Sequence, residues 1–339
     1  MTEEAQAEGS RYQDRSFVLQ FFGVLLLLGG GLVGLLACLY AGIYAMASAG
    51  GSGSLGGQEL GNPALILPAA FVYGLLAIVL LTLGFGSCLL RRWARAIIHA
   101  GSWSSLVIGV VALVGMAVVL PATLDQMPQL MEEQAAATGQ ETPPLPDDFG
   151  AIFMVFMLAF AFVVYVVIPG TFLLVYRSPH ARATVEYRDP KPRWTDDVPL
   201  LVLTLVLWLG LMAIMAPMTA LYPAMPAFGF TLRGTPLVAT ALFGSVLLAF
   251  LTVQARHRRP VAWWGTLVLT VLGGASTVWM VQSNELGNVY REWGLPESSV
   301  QMAEDLLEAP STMVFMLAVW VPWLVYVALL RKYFRPAAA

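Results

Sequence analysis

The side chains able to do chemistry are few, and their spacing argues against the familiar reactions. The three histidines are His99, His180 and His257, and none is spaced to pair with a nucleophile or with a second histidine. No His-Glu-x-x-His motif occurs, which removes a zincin-type metalloprotease helix. The run Gly84-Phe85-Gly86-Ser87-Cys88 places a serine among small residues, but the Gly-x-Ser-x-Gly elbow of serine hydrolases is absent. Cys38 and Cys88 both lie in apolar runs, where a thiol behaves as a small hydrophobe. Two such residues build neither a disulfide framework nor a thiolate metal site. Phosphate-loop and dinucleotide fingerprints are missing, and no histidine pair sits at a depth suited to haem. No catalytic residue, metal ligand or cofactor site is therefore assigned.

Two weaker patterns remain. Tyr165 and Thr270 lie inside apolar runs, where a hydroxyl lines a path for a neutral solute or bonds a neighbouring helix. Pro169-Gly170, Pro217 and Pro322 interrupt such runs. Each proline removes an amide donor and kinks its helix, and broken helices frame many transporter sites. The second pattern is a polar elbow at 177–197. It carries Arg177, His180, Arg182, Glu186, Arg188, Arg193 and Trp194, a set suited to anionic lipid headgroups or to a docked partner. Prolines and paired charges give this elbow the character of an ordered connector.

The elements that must position these residues are membrane helices. Of 339 residues, 58% are hydrophobic and only 12% charged, with a mean hydropathy of +0.73. Soluble chains carry about 25% charge, so lipid has to be the solvent for most of this one. A net charge of −3 with no clustered basic surface gives no sign of a nucleic-acid partner. Runs of about 20 apolar residues cross a bilayer as helices, because backbone polar groups find no water there. Eight such runs are predicted near 16–47, 64–90, 101–121, 150–176, 198–221, 235–254, 261–282 and 311–330. The first is far too long for the core of a cleavable signal and reads as an uncleaved span.

Loop charges set the expected orientation. With the N-terminus inside, 16 of the 18 Lys and Arg residues fall on one side, and only Arg233 and Arg291 fall on the other. The same arrangement puts 13 of the 21 acidic residues outside. By the positive-inside rule both termini are cytoplasmic, in a membrane of the bacterial inner type. The expected layout is an N-tail (1–15), a four-span half (16–176), the elbow (177–197), a second four-span half (198–330) and a C-tail (331–339).

The halves resemble each other. Met-Val-Phe-Met-Leu-Ala occurs at 154–159 and again at 313–318, each time opening the last span of a half. A long acidic loop precedes each copy, and a basic turn, Arg91 to Arg95 or Arg256 to Arg259, precedes that. Because four is even, such a 4+4 repeat is parallel, related by an axis along the membrane normal. Met127, Leu130 and Met131, and Val300, Ala303, Leu306 and Leu307, have helical apolar spacing beside acidic residues. They predict short amphipathic helices in the two outer loops. Pro143 to Pro146 should break the first of these loops.

No charge lies in the middle of any predicted span, which weighs against a proton-coupled carrier, a pump or a voltage sensor. The sequence narrowly favours a passive or weakly coupled channel or transporter for a small solute. The alternative is a non-catalytic accessory or scaffold subunit of a larger membrane complex, as a homo-oligomer or with other membrane proteins. A cytoplasmic-face enzyme would need Arg182, Glu186 and Arg188 to converge.

Overall fold

A computed structural model describes residues 13–49, 54–55, 58–59, 65–138, 149–228, 230–283, 285–295, 297–308 and 310–334. Most of the N-tail, the Pro143–Pro146 break and the end of the C-tail lie outside these residues. The chain is an all-α, multi-pass membrane protein. Eight helical segments are long and apolar enough to cross a bilayer: Ser16–Ala49, Ile66–Cys88, Arg92–Ala117, Phe149–Arg177, Leu200–Leu221, Gly234–Arg256, Pro260–Gln282 and Val314–Tyr333.

The first half contains α1 (Ser16–Ala49), α2 (Ile66–Cys88) and α3 (Arg92–Thr138). Its fourth span is α4 (Phe149–Phe162), a π-helical turn (Val163–Val167) and α5 (Ile168–Arg177). Small residues let α1 and α2 pack backbone to backbone. A Cβ added to Gly23 would lie 2.9 Å from the Gly84 carbonyl oxygen, and one on Gly30 would lie 2.9 Å from Leu81. Gly34 and Ala77 continue the same antiparallel seam. With no water to drive association, this close approach supplies the attraction between membrane helices.

The elbow folds as α6 (Pro179–Arg188) and the single turn α7 (Trp194–Asp197). The second half follows with α8 (Leu200–Met215), a 3-10 segment (Ala216–Leu221), α9 (Gly234–Arg256), α10 (Pro260–Gln282) and α13 (Pro310–Leu329). Between these spans lie the acidic-side helices α11 (Glu285–Glu292) and α12 (Glu297–Glu308). Strands β1 (Ser54–Leu55) and β2 (Gln58–Glu59) pair antiparallel, as do β3 (Ala224–Ala227) and β4 (Phe230–Arg233). Helix α3 touches α8 and α13, and so joins the halves.

Two tight turns have the same geometry. Leu90 and Arg258 both adopt a left-handed φ of 55°. At the first, Leu89, Leu90 and Arg91 donate to the carbonyls of Phe85, Ser87 and Gly86; at the second, His257, Arg258 and Arg259 donate to Val253, Ala255 and Gln254. This pattern closes the last carbonyls of one helix while reversing the chain. Each half has its most buried cluster beside its own turn. One contains Leu19, Leu90, Ala94, Ile98 and Tyr176, and the other Val202, Leu251, Ala255, Ala262, Trp263 and Val327.

Three features differ from the sequence expectation. The third span begins at Arg92 and not near residue 101, so Arg95 and His99 are already helical. Its helix continues to Thr138 in one piece, taking in Met127 to Met131, where a separate surface helix was predicted. The second half also carries the β3–β4 hairpin, which was not foreseen. The predicted amphipathic stretch at 300–307 does form, as α12, with Val300 fully buried.

Candidate functional site

The polar groups of the molecule gather where the elbow meets the two basic turns. Asp189 is the centre of this arrangement, and its side chain is only 5% exposed. It stands at the N-terminus of α3 and accepts the Arg92 backbone N–H at 3.4 Å. Arg91 and Arg193 lie 3.9 and 3.7 Å from the same carboxylate. A carboxylate here meets both the unsatisfied amides and the positive end of the helix dipole. Arg92 adds an ion pair to Asp196 at 3.5 Å. Asp196 in turn caps α7 by accepting the Arg193 N–H at 2.9 Å.

The elbow is also fastened to the rest of the chain. Thr184, fully buried, accepts the Arg15 N–H at 3.1 Å and ties α6 to the start of α1. The Arg256 guanidinium lies 4.8 Å above the Trp194 ring, and Arg258 donates to the Asp197 carbonyl. The same short segment therefore grips the α2–α3 turn, the α9–α10 turn and the entry to α1. Arg182 and Glu186 pair one turn apart at 2.8 Å, and this hydrogen bond holds the Arg182 guanidinium above its ordinary value. Tyr187 projects into solvent, 78% exposed.

Of the elbow residues singled out by sequence, Arg193 and Trp194 enter the network directly. Arg182 and Glu186 pair with each other, whereas Arg188 makes no ion pair among the described residues. Arg177 and His180 stay at the junction of α5 and α6; the His180 carbonyl accepts from Thr184 at 2.8 Å. Asp189 and Arg92 were not singled out. The readable signal was an acid between two arginine-bearing segments, Arg91-Arg92 and Arg193.

The residues named for a pathway fall in separate places. Tyr165 sits in the π-helical turn, 43% exposed, with its Cβ close against Gly109 of α3. Pro169, four positions on, has no N–H for the Tyr165 carbonyl. That carbonyl turns onto Gly109 of α3, where an added Cβ would collide with it. Gly170 faces open space. In the second half Pro217 starts the 3-10 segment, and Pro322 lies within α13. Thr270 is buried; its hydroxyl donates to the Thr266 carbonyl at 2.8 Å and accepts the Trp323 indole at 3.1 Å. Its hydrogen-bonding capacity is filled by helix packing.

On the acidic side, both basic residues are ion-paired. Arg233 binds Glu292, and Arg291 binds Glu297 at 2.8 Å and Glu304 at 3.3 Å. The hydrogen bond from Arg291 holds the Glu297 carboxyl below the usual range. Thr231 on β4 donates to Glu285, and Trp293 donates to the Ala224 carbonyl at 2.8 Å. The hairpin and α11–α12 thus form one ordered cap. Among the described residues, no three His, Cys, Asp or Glu side chains converge as a metal ion would require. Comparison with protein-family models, with curated proteins and with solved structures gave no match to this chain.

Proposed function

We propose that the chain is a non-catalytic scaffold subunit of a membrane assembly, with the elbow as its docking platform. The observation that carries this reading is the burial of Asp189 among Arg91, Arg193 and the first amide of α3. That arrangement holds a short polar segment rigid against both basic turns while Tyr187 stays in solvent. A preorganised surface loses little conformational freedom when a partner binds. Small-solute permeation, the reading the sequence favoured, draws less support. Tyr165 packs on Gly109 of α3, and the Thr270 hydroxyl is engaged with Thr266 and Trp323.

The orientation belongs to the same proposal. The elbow, both basic turns and both termini lie in the cytoplasm, on the loop-charge argument given above. The halves are a parallel duplication. Four correspondences support this, each pair 168 positions apart: the left-handed residues (90 and 258) and the buried positions 94 and 262, 98 and 266, and 102 and 270. In each half a tyrosine of the fourth span also reaches toward the start of the first. Tyr176 meets the Ser87–Leu19 contact, and Tyr326 donates to the Leu201 carbonyl at 2.6 Å.

The test is purification from native membranes in mild detergent, with particle mass and composition measured together. A photo-crosslinking residue in place of Tyr187 reports on the platform. Other membrane proteins recovered in fixed ratio and crosslinked from position 187 support the scaffold. A particle of this chain alone, passing solutes across liposomes, overturns it in favour of permeation.

A further inference from the structure

A groove between α1 and α5 runs from the basic face into the membrane. Two cavities with no lining residue in common follow one another along it, of about 250 Å³ near the surface and about 480 Å³ deeper. Arg15, just before α1, and Val18 of α1 line the shallow one, with Ser178 just after α5. Phe22, Leu25 and Gly29 line the deep one, opposite Ile168 and Thr171. Positions 18, 22, 25 and 29 of α1, with Arg15 capping its first turn, advance by three and four residues and so form one continuous face.

Dimensions and charge together identify an occupant. From Arg15 to Gly29 the helix rises about 21 Å; one leaflet of hydrocarbon is about 15 Å deep, with headgroups beyond it. The groove therefore starts at headgroup level and ends near the bilayer centre. Its floor is bare because Gly29 has no neighbour within 4 Å of where a Cβ would stand. In lipid, such an apolar recess is filled by hydrocarbon and not by water. At the mouth, the Arg15 side chain is exposed and hydrogen-bonded to Gln13 at 3.0 Å, and neither it nor Arg177 makes an ion pair among the described residues. The nearby acid, Asp14, is engaged by the Ser16 amide at 2.8 Å and by the Ser16 hydroxyl.

We propose that this groove is a binding site for one anionic phospholipid of the leaflet facing the basic ends. One acyl chain lies between Leu25, Gly29 and Ile168, and the phosphate lies against Arg15. The site is independent of the scaffold reading, since a lone chain would bind the lipid equally well.

The experiment is native mass spectrometry of the full chain titrated with phosphatidylglycerol or with phosphatidylcholine. Wild type should retain one phosphatidylglycerol in preference to phosphatidylcholine. Arg15→Gln should weaken phosphatidylglycerol about fivefold, the worth of one arginine against an anionic headgroup, and weaken zwitterionic phosphatidylcholine less, so that the preference narrows. Gly29→Leu should displace both lipids by filling the floor, and it should fold normally because leucine suits a helix better than glycine. Equal retention of the two lipids by wild type overturns the proposal. So does an unchanged phosphatidylglycerol adduct in either folded variant. Thermal unfolding of each variant identifies any loss that comes from misfolding; a misfolded Arg15→Gln is replaced by Arg15→Lys, which should retain the preference.

Discussion

Removing the Ser87 hydroxyl should cost more stability than removing its larger partner, Tyr176. Ser87 has one hydroxyl proton, and it donates to the Leu19 carbonyl at 2.8 Å. The Tyr176 oxygen lies 2.5 Å from Ser87 Oγ, so the tyrosine must be the donor in that contact. Both residues are buried, at 3% and 1% exposure. Ser87→Ala therefore leaves a tyrosine hydroxyl with no acceptor in an apolar setting, at about 1–3 kcal/mol. Tyr176→Phe leaves Ser87 still bonded to Leu19 and removes a single interhelical bond, about 0.6 kcal/mol by the membrane average. The double variant removes both polar groups and should be more stable than Ser87→Ala alone. The assay is thermal unfolding of the detergent-solubilised proteins as a double-mutant cycle, with a coupling of about 1 kcal/mol expected. A double variant as unstable as the two singles combined would refute the reasoning, as would a Tyr176→Phe cost exceeding that of Ser87→Ala.

Other outcomes follow from the same contacts. Asp189→Asn should destabilise by about 1–2 kcal/mol, below the full cost of breaking a buried pair, because Arg91 and Arg193 can return to water; protease cutting within 177–197 should rise with it. Gly109→Ala should cost about 1–3 kcal/mol by forcing α3 off the Tyr165 carbonyl, read as a lowered unfolding temperature. Glu297 has its folded pKa depressed by Arg291, so its contribution is complete above the ordinary carboxylate value of about 4.3 and fades as pH falls through the lower folded value. Amide protection in α11–α12, corrected for the pH dependence of intrinsic exchange, should therefore fall in that acid range in wild type, and Arg291→Gln should flatten the dependence. Single cysteines at 187 and 297, in a chain lacking Cys38 and Cys88, should label from opposite faces of sealed vesicles with an impermeant maleimide; labelling from one face would overturn the eight-span orientation.

The spans were legible because hydrocarbon imposes a single requirement, an unbroken apolar run closed by its own hydrogen bonds. The continuation of α3 was not, since Pro121 and Pro128 fall inside it and a proline ordinarily ends a helix. The hairpin at 224–233 was hidden by its length: four residues a strand give too little alternation to distinguish from a loop. For the elbow, composition revealed a segment rich in paired charge, but the choice of Asp189 as its anchor is tertiary. Nothing local separates Asp189 from Asp196 or Asp197, and only the arrival of the α3 N-terminus makes it different. Tyr165 and Thr270 looked alike as hydroxyls in apolar runs. Their surroundings diverge because Pro169 frees a carbonyl beside one, while Trp323 donates to the other.

The length of α3 exceeds what crossing the bilayer requires. Its 47 residues extend about 70 Å, against a hydrocarbon thickness of about 30 Å. The portion past Ala117 extends about 30 Å, and the opposite end of the helix is held at Asp189. Held at its start by Asp189 and along its middle by close contacts at Gly109 and Gly115, the helix carries its far end well clear of the hydrocarbon.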